Sequence, residues 1–171
     1  AGVSRGCALI FVTVGHQMAF DRMVRAIDQW AGERGRDDVF ARIGVTEYRP
    51  EHIEFRAQID PNDFRDLVAK ADAVVAHAGT GTILTALELG TPILVMPRRG
   101  DLMETRNDHQ IATAQRFEAL GKVDVALDEI ELVERLDRLA DLGTHEMIST
   151  DASPELIETL RGFIHGENEP N

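Results

Sequence analysis

Cysteine occurs once in the 171 residues, at Cys7 inside an apolar run, so no intrachain disulfide can form and the thiol reads as a small buried hydrophobe rather than a nucleophile. A reducing compartment is the expectation. Positive charge is also scarce: 18 Lys and Arg stand against 30 Asp and Glu, a formal net charge of −12. A chain of that sign lacks the basic footprint that neutralises a phosphate backbone, which argues against nucleic acid as a partner. Long apolar runs are missing too. No stretch approaches the roughly 18 residues needed to span a bilayer, and the first residues lack the basic flank and apolar segment of a secretion signal. Membrane association is expected only through a partner. Nothing around His77 has metal-ligand spacing, and no cofactor is expected.

What is present is alternation. Residues 7–14, CALIFVTV, form a continuous apolar, branched run that suits a strand buried on both faces of a parallel sheet. Phe20, Met23, Val24, Ile27 and Trp30 then fall at helical spacing. Short strands are expected at 39–43 and 53–57. Asp60 and Pro61 supply a cap and a first-turn proline for a helix carrying Phe64, Leu67 and Val68. Further strands are expected at 73–76, 92–96 and 123–127, with helices at 80–89, along Ile111, Ala114, Phe117 and Leu120, and from the capping pair Asp128 and Glu131 to Leu142. Ser153-Pro154-Glu155 opens a last helix, and residues 166–171 read as a frayed polar tail. The expectation is one α/β domain over 1–171, a Rossmann-like parallel sheet with helices on both faces.

In such sheets ligands gather outside the carboxyl ends of the strands, and three polar turns fall there. The first is Gly15-His16-Gln17, where glycine permits a tight turn and the two side chains offer donors. The second is His77-Ala78-Gly79-Thr80-Gly81-Thr82, in which two glycines expose consecutive N–H groups at a helix start and the threonines add hydroxyls, a setting suited to phosphate oxygens. It is neither the dinucleotide GxGxxG at the first turn nor the GxxxxGK[ST] loop. The third runs from Arg98 to Gln110: Arg98, Arg99 and Arg106 bring charge, while Glu104, Asn107, Asp108, His109 and Gln110 bring the acceptors and donors that several sugar hydroxyls need. A plain glycine turn, a satisfied edge histidine and a solvated charged loop are the competing readings of these segments.

These residues resemble the C-terminal, donor-binding domain of family 28 glycosyltransferases. The resemblance is carried by IFVTVG with FDRMV within residues 10–24, HAGTGTILTALELGTPILVMPR at 77–98 and RNDHQIATA at 106–114, and it covers about residues 7–127. Within that family the chain looks like the small catalytic subunits of split exopolysaccharide and dolichol-linked N-acetylglucosaminyl transferases. The resemblance implies one half of a GT-B architecture and an inverting, metal-independent hexosyl transfer from a UDP-sugar such as UDP-N-acetylglucosamine to a polyprenyl-linked sugar acceptor. It also implies a membrane-anchored partner subunit that holds the acceptor and brings this half to the cytoplasmic face of the membrane.

By the same resemblance, Gly15 and Gln17 line the donor sugar and diphosphate, residues 79–82 receive the diphosphate, and His109 and Gln110 meet the hexose. Arg98 or Arg106 would stand near the leaving group. His16, where many relatives carry threonine, is the weak candidate for a catalytic base. A ribose-binding glutamate of other branches is Thr85 here, with Glu88 one helical turn away. Alone, such a half would have an exposed cleft open to self-association. A nucleotide-sugar-binding module without catalysis and a UDP-sugar epimerase-like enzyme are the alternative functions.

Overall fold

The computed structural model describes residues 9–142 except Gln17 and Lys122, together with Glu158. The helix expected from Ser153, the tail 166–171 and Cys7 lie outside the described residues, as does Gln17.

Six strands, β1 (Ile10–Thr13), β2 (Val39–Arg42), β3 (Glu54–Arg56), β4 (Ala73–His77), β5 (Ile93–Met96) and β6 (Asp124–Val125), form one sheet in the order β3-β2-β1-β4-β5-β6, every pairing parallel. The helices are α1 (Asp21–Arg34), α2 (Pro61–Lys70), α3 (Thr80–Glu88), α4 (His109–Ala119) and α5 (Glu129–Leu142). Successive strand residues face opposite sides, so each strand feeds two cores. Ile10, Val12, Val14, Val75, Leu94 and Met96 meet Met23 and Ile27 of α1 and Leu132 and Leu136 of α5. Phe11, Val74, Ala76, Ile93 and Val95 meet Val68 of α2, Ile83 and Leu87 of α3 and Ala114 and Phe117 of α4. Successive strands are added outward from β1 in one direction and from β4 in the other, which makes the carboxyl ends of these two strands the switch point of the sheet.

The expected elements are all present within the described residues, and the boundary shifts have local causes. Helix α1 continues past Ala31 to Arg34, where Gly35 at φ 62° closes it in the left-handed conformation. Asp60 caps α2 as expected, its carboxylate accepting the Asn62 N–H at 2.9 Å. Strand β6 is shorter than residues 123–127. Its ladder ends because Ala126 donates to the Val95 carbonyl and the next N–H, of Leu127, is taken by the Glu131 carboxylate at 2.8 Å. Glu131 thus reaches one residue further back than a standard capping box would, while Asp128 caps the Glu131 N–H at 2.8 Å. On the first face, Trp30 Nε1 and the Arg34 guanidinium both donate to Asp137, tying α1 to α5.

Candidate donor site at the switch point

The turn after β4 enters α3 through Gly79, whose backbone is extended and which has no side chain to cap the helix. The first N–H groups of an α-helix lack intrahelical partners, so Thr80, Gly81 and Thr82 present donors at the positive end of the helix dipole. A Cβ placed on Gly81 would enter open space, so this is where a ligand can approach the backbone. Thr82 is buried, leaving Thr80 and Gly81 as the accessible members of the pair of motifs. Thr85, at the position of the expected ribose contact, donates its hydroxyl to the Gly81 carbonyl at 2.9 Å, and Glu88 pairs with Arg65 of α2 at 3.6 Å.

His77 organises the turns on either side. Its ring lies against both Gly15, at φ 83°, and Gly79. A Cβ on Gly15 would stand 2.5 Å from Nε2, and one on Gly79 would run into the ring itself. Both positions therefore need glycine for close approach, and Gly15 needs it for its backbone as well. The His77 pKa is pushed down to about 3 by burial first, then by the Arg98, Arg42 and His16 charges. The ring is neutral at physiological pH and far too weakly basic to take a proton there. Its Nδ1 lies 3.4 Å from the Gln110 amide nitrogen, while Gln110 Oε1 accepts the Arg98 N–H at 3.1 Å. Gln110 thus bridges the β4 and β5 loops.

Arg98, expected near the leaving group, is held by protein carbonyls. It is 4% exposed, lies over the Phe20 ring, and donates to the carbonyls of Val14, Met18, Ala19 and Glu104. It staples the loop after β1 to the loop after β5. Glu104, expected among the sugar contacts, forms a two-point ion pair with Arg22 of α1 at 2.6 and 3.0 Å and accepts the Arg99 N–H. Asn107 caps the His109 N–H, and Asp108 accepts the Gly100 N–H, both at 2.9 Å, so the loop preceding α4 is closed by its own side chains. Arg106 lies exposed on that loop, His109 is exposed at the start of α4, and His16 is exposed on the first loop. Val14, His16, Met18, His77, Arg98, Glu104, Thr105 and Gln110 enclose a cavity of about 80 Å³ between the loops. Larger hollows, of about 540 Å³ beside Asp28 and Tyr48 and about 480 Å³ beside Arg56 and Asp66, lie away from this convergence. Among the described residues, no three His, Cys, Asp or Glu side chains come together as a metal site.

A family model, the glycosyltransferase family 28 C-terminal domain, matches residues 9–155. The chain belongs to that family. A UDP-N-acetylglucosamine transferase subunit, ALG13, of Cryptococcus neoformans is 49% identical over 67 residues, 38% of this chain and 32% of the relative. The chain therefore spans about a third of that curated relative's length. Among solved structures, the solution structure of ALG13 superposes with a TM-score of 0.60 at 18% identity, covering 90% of this chain and 97% of that one. MurG from Acinetobacter baumannii superposes with a TM-score of 0.64 at 15% identity, covering 95% of this chain and 51% of that one. The fold is thus the Rossmann-like half found in GT-B glycosyltransferases.

Sequence reasoning missed two things at this family 28 site. One is the Arg22–Glu104 tie, between residues 82 positions apart, which no local pattern signals. The other is Arg42, buried at the same sheet edge. Its signal was visible: a guanidinium interrupting the apolar run of an internal strand.

Proposed function

We propose that this chain is the donor-binding half of an inverting transferase that moves a hexose, with N-acetylglucosamine the first candidate, from a UDP-sugar to a polyprenyl-linked acceptor. The acceptor site and membrane anchorage come from a separate subunit, so the chain works at the cytoplasmic face of the membrane. The observation that carries this reading is the meeting, at the switch point of a family 28 domain, of the uncapped α3 N-terminus with the Gly15 turn and the Gln110 loop. The curated relative's description as a transferase subunit supports a division of labour between chains. Among the described residues, no helix is long and apolar enough to cross a membrane, which fits anchorage through a partner.

In this reaction the acceptor hydroxyl oxygen attacks the anomeric carbon as the bond from that carbon to the diphosphate oxygen breaks. The bonding pair leaves with UDP. The N–H groups of Thr80, Gly81 and Thr82 and the α3 dipole stabilise the charge that develops on the diphosphate. The hydroxyl proton passes to a base within hydrogen-bond reach, supplied by the acceptor subunit, with exposed His16 the candidate on this chain. Neutral His77 fixes the spacing of the two glycine turns and leaves proton transfer to other groups.

Calorimetric titration of the chain with UDP and a set of UDP-sugars tests the reading. Binding is expected in wild type and lost in Gly81→Trp, whose side chain starts in open space and fills the phosphate turn without opposing the fold. An unchanged affinity in Gly81→Trp would remove the diphosphate from α3.

A further inference from the structure

Arg42 is the last residue of β2, beside Thr13 of β1, which in turn neighbours Ala76 of β4, the residue before His77. It is 1% exposed. Its Nε has no hydrogen-bond partner among the described residues, and the contact made by its guanidinium is with the face of Phe64, at 5.1 Å from the ring centroid. Burial pushes its pKa down with no carboxylate opposing the shift, yet a guanidinium keeps its proton in proteins. A buried guanidinium with an unsatisfied Nε–H and no carboxylate opposing it is a costly arrangement for a fold to hold.

Its setting gives that cost a use. A chain of net charge −12 places two buried guanidinium groups, Arg42 and Arg98, at the edge that bears the α3 N-terminus. The nearest carboxylate to Arg98, Glu104, is paired to Arg22. His77 follows Ala76 at the same edge, and its pKa is lowered first by burial and then by the Arg98 and Arg42 charges. Positive potential is therefore built into the floor of the cleft from behind, where water and salt screen it little.

We infer that Arg42 is a specificity-determining residue of the donor site, its buried charge acting through space with the α3 N-terminus to favour a nucleoside diphosphate over the uncharged nucleoside. This rests on the donor reading above. On this inference Arg42 acts without touching the ligand, so its effect follows charge and not shape. A unit charge about 10 Å from another, at an effective dielectric of about 20, changes binding by about tenfold.

The test titrates the full chain and its Arg42→Met and Arg42→Gln variants with UDP and with uridine, and follows the His77 ring by NMR across pH. Both variants are expected to bind UDP about tenfold more weakly, bind uridine as wild type does, melt no lower than wild type, and show a raised His77 pKa. Unchanged UDP affinity in both variants would overturn the inference, as would a parallel loss of UDP and uridine binding. Full affinity retained in Arg42→Gln but lost in Arg42→Met would assign a hydrogen bond instead of a field, and would overturn it too. Those three outcomes leave the donor reading standing. Wild-type protein that binds neither ligand would overturn both.

Discussion

Arg42, at the end of β2, and Arg98, in the loop after β5, lie on the two sides of the switch point, each buried and each laid over a phenylalanine ring, Phe64 for one and Phe20 for the other. Their polar surroundings are opposite. Arg98 donates to four carbonyl oxygens drawn from two loops, whereas Arg42 Nε donates to nothing among the described residues. Burial of a cation therefore does not by itself say what the cation does. An arginine whose donors are taken up by loop carbonyls fixes the shape of the loops, whereas the role inferred for Arg42, with its Nε unsatisfied, rests on its charge.

Removing each guanidinium is the sharpest way to break that comparison. Arg98→Met leaves the carbonyls of Val14, Met18 and Ala19 without their donor and frees the loop after β1, so a loss of about 3–5 kcal/mol is expected. Arg42→Met removes an unpaired charge and replaces it with an apolar chain of similar reach, for which the expectation is no loss or a gain of about 1–4 kcal/mol. Urea denaturation of the two variants at neutral pH reads both. Equal losses would mean that the two arginines are both structural and that the contrast in their partners has no energetic meaning.

The pH dependence of stability probes the ground between them. His77 titrates near 6.5 in an unfolded chain and about 3 in the fold, because burial, then Arg98, then Arg42, oppose its charged form. The folded state binds fewer protons than the unfolded state in that window, so stability is fully present above pH 6.5 and falls as the pH drops towards 3. A loss of roughly 2 kcal/mol by pH 5 is expected from this group, and the His77→Gln variant should lack that slope. A wild-type curve flat from pH 7 to 5 would mean that the imidazole is solvated and that the two cations do not meet at it.

The sheet was legible because its signal is local. Continuous apolar runs such as residues 73–76 and 92–96, separated by amphipathic spacing and closed by glycine, leave little choice but buried parallel strands with helices between them. The positions of the glycine turns were legible for the same reason, since a turn is encoded by its own residues. Side-chain assignments within the turns were less so. Arg98, Glu104, Asn107 and Asp108 read as ligand groups by composition, and in the structure they also hold the protein: Arg98 donates to carbonyls of the β1 loop, Glu104 pairs with Arg22 of α1, and Asn107 and Asp108 accept the N–H groups of His109 and Gly100. A charged residue on a functional loop can hold the loop or hold the ligand, and only the three-dimensional neighbourhood decides. Arg42 is the converse case, passed over because it sat in a strand.

The smallest effects come from Gly79 and Gly81 of the turn into α3, which lie two residues apart in similar local sequence and differ in what stands above them. Gly79 is at the N-cap with the His77 ring against its α-carbon, so Gly79→Ala must displace the ring or the turn, and the cap itself tolerates alanine poorly. A cost of about 1–2 kcal/mol is expected, with a shifted His77 NMR signal. Gly81 lies inside the first turn of α3 under open space, so Gly81→Ala should stabilise the fold by about 0.5–1 kcal/mol through the lower entropy of the unfolded chain and leave His77 unmoved. The two alanine variants should also part in function. Gly79→Ala would disturb the ring that spaces the Gly15 and Gly79 turns, whereas Gly81→Ala adds one methyl group at the mouth of the site. If Gly79→Ala proved as harmless as Gly81→Ala, the His77 ring would have room to yield, and the spacing of the two turns would have to be fixed by the Arg98 staple alone.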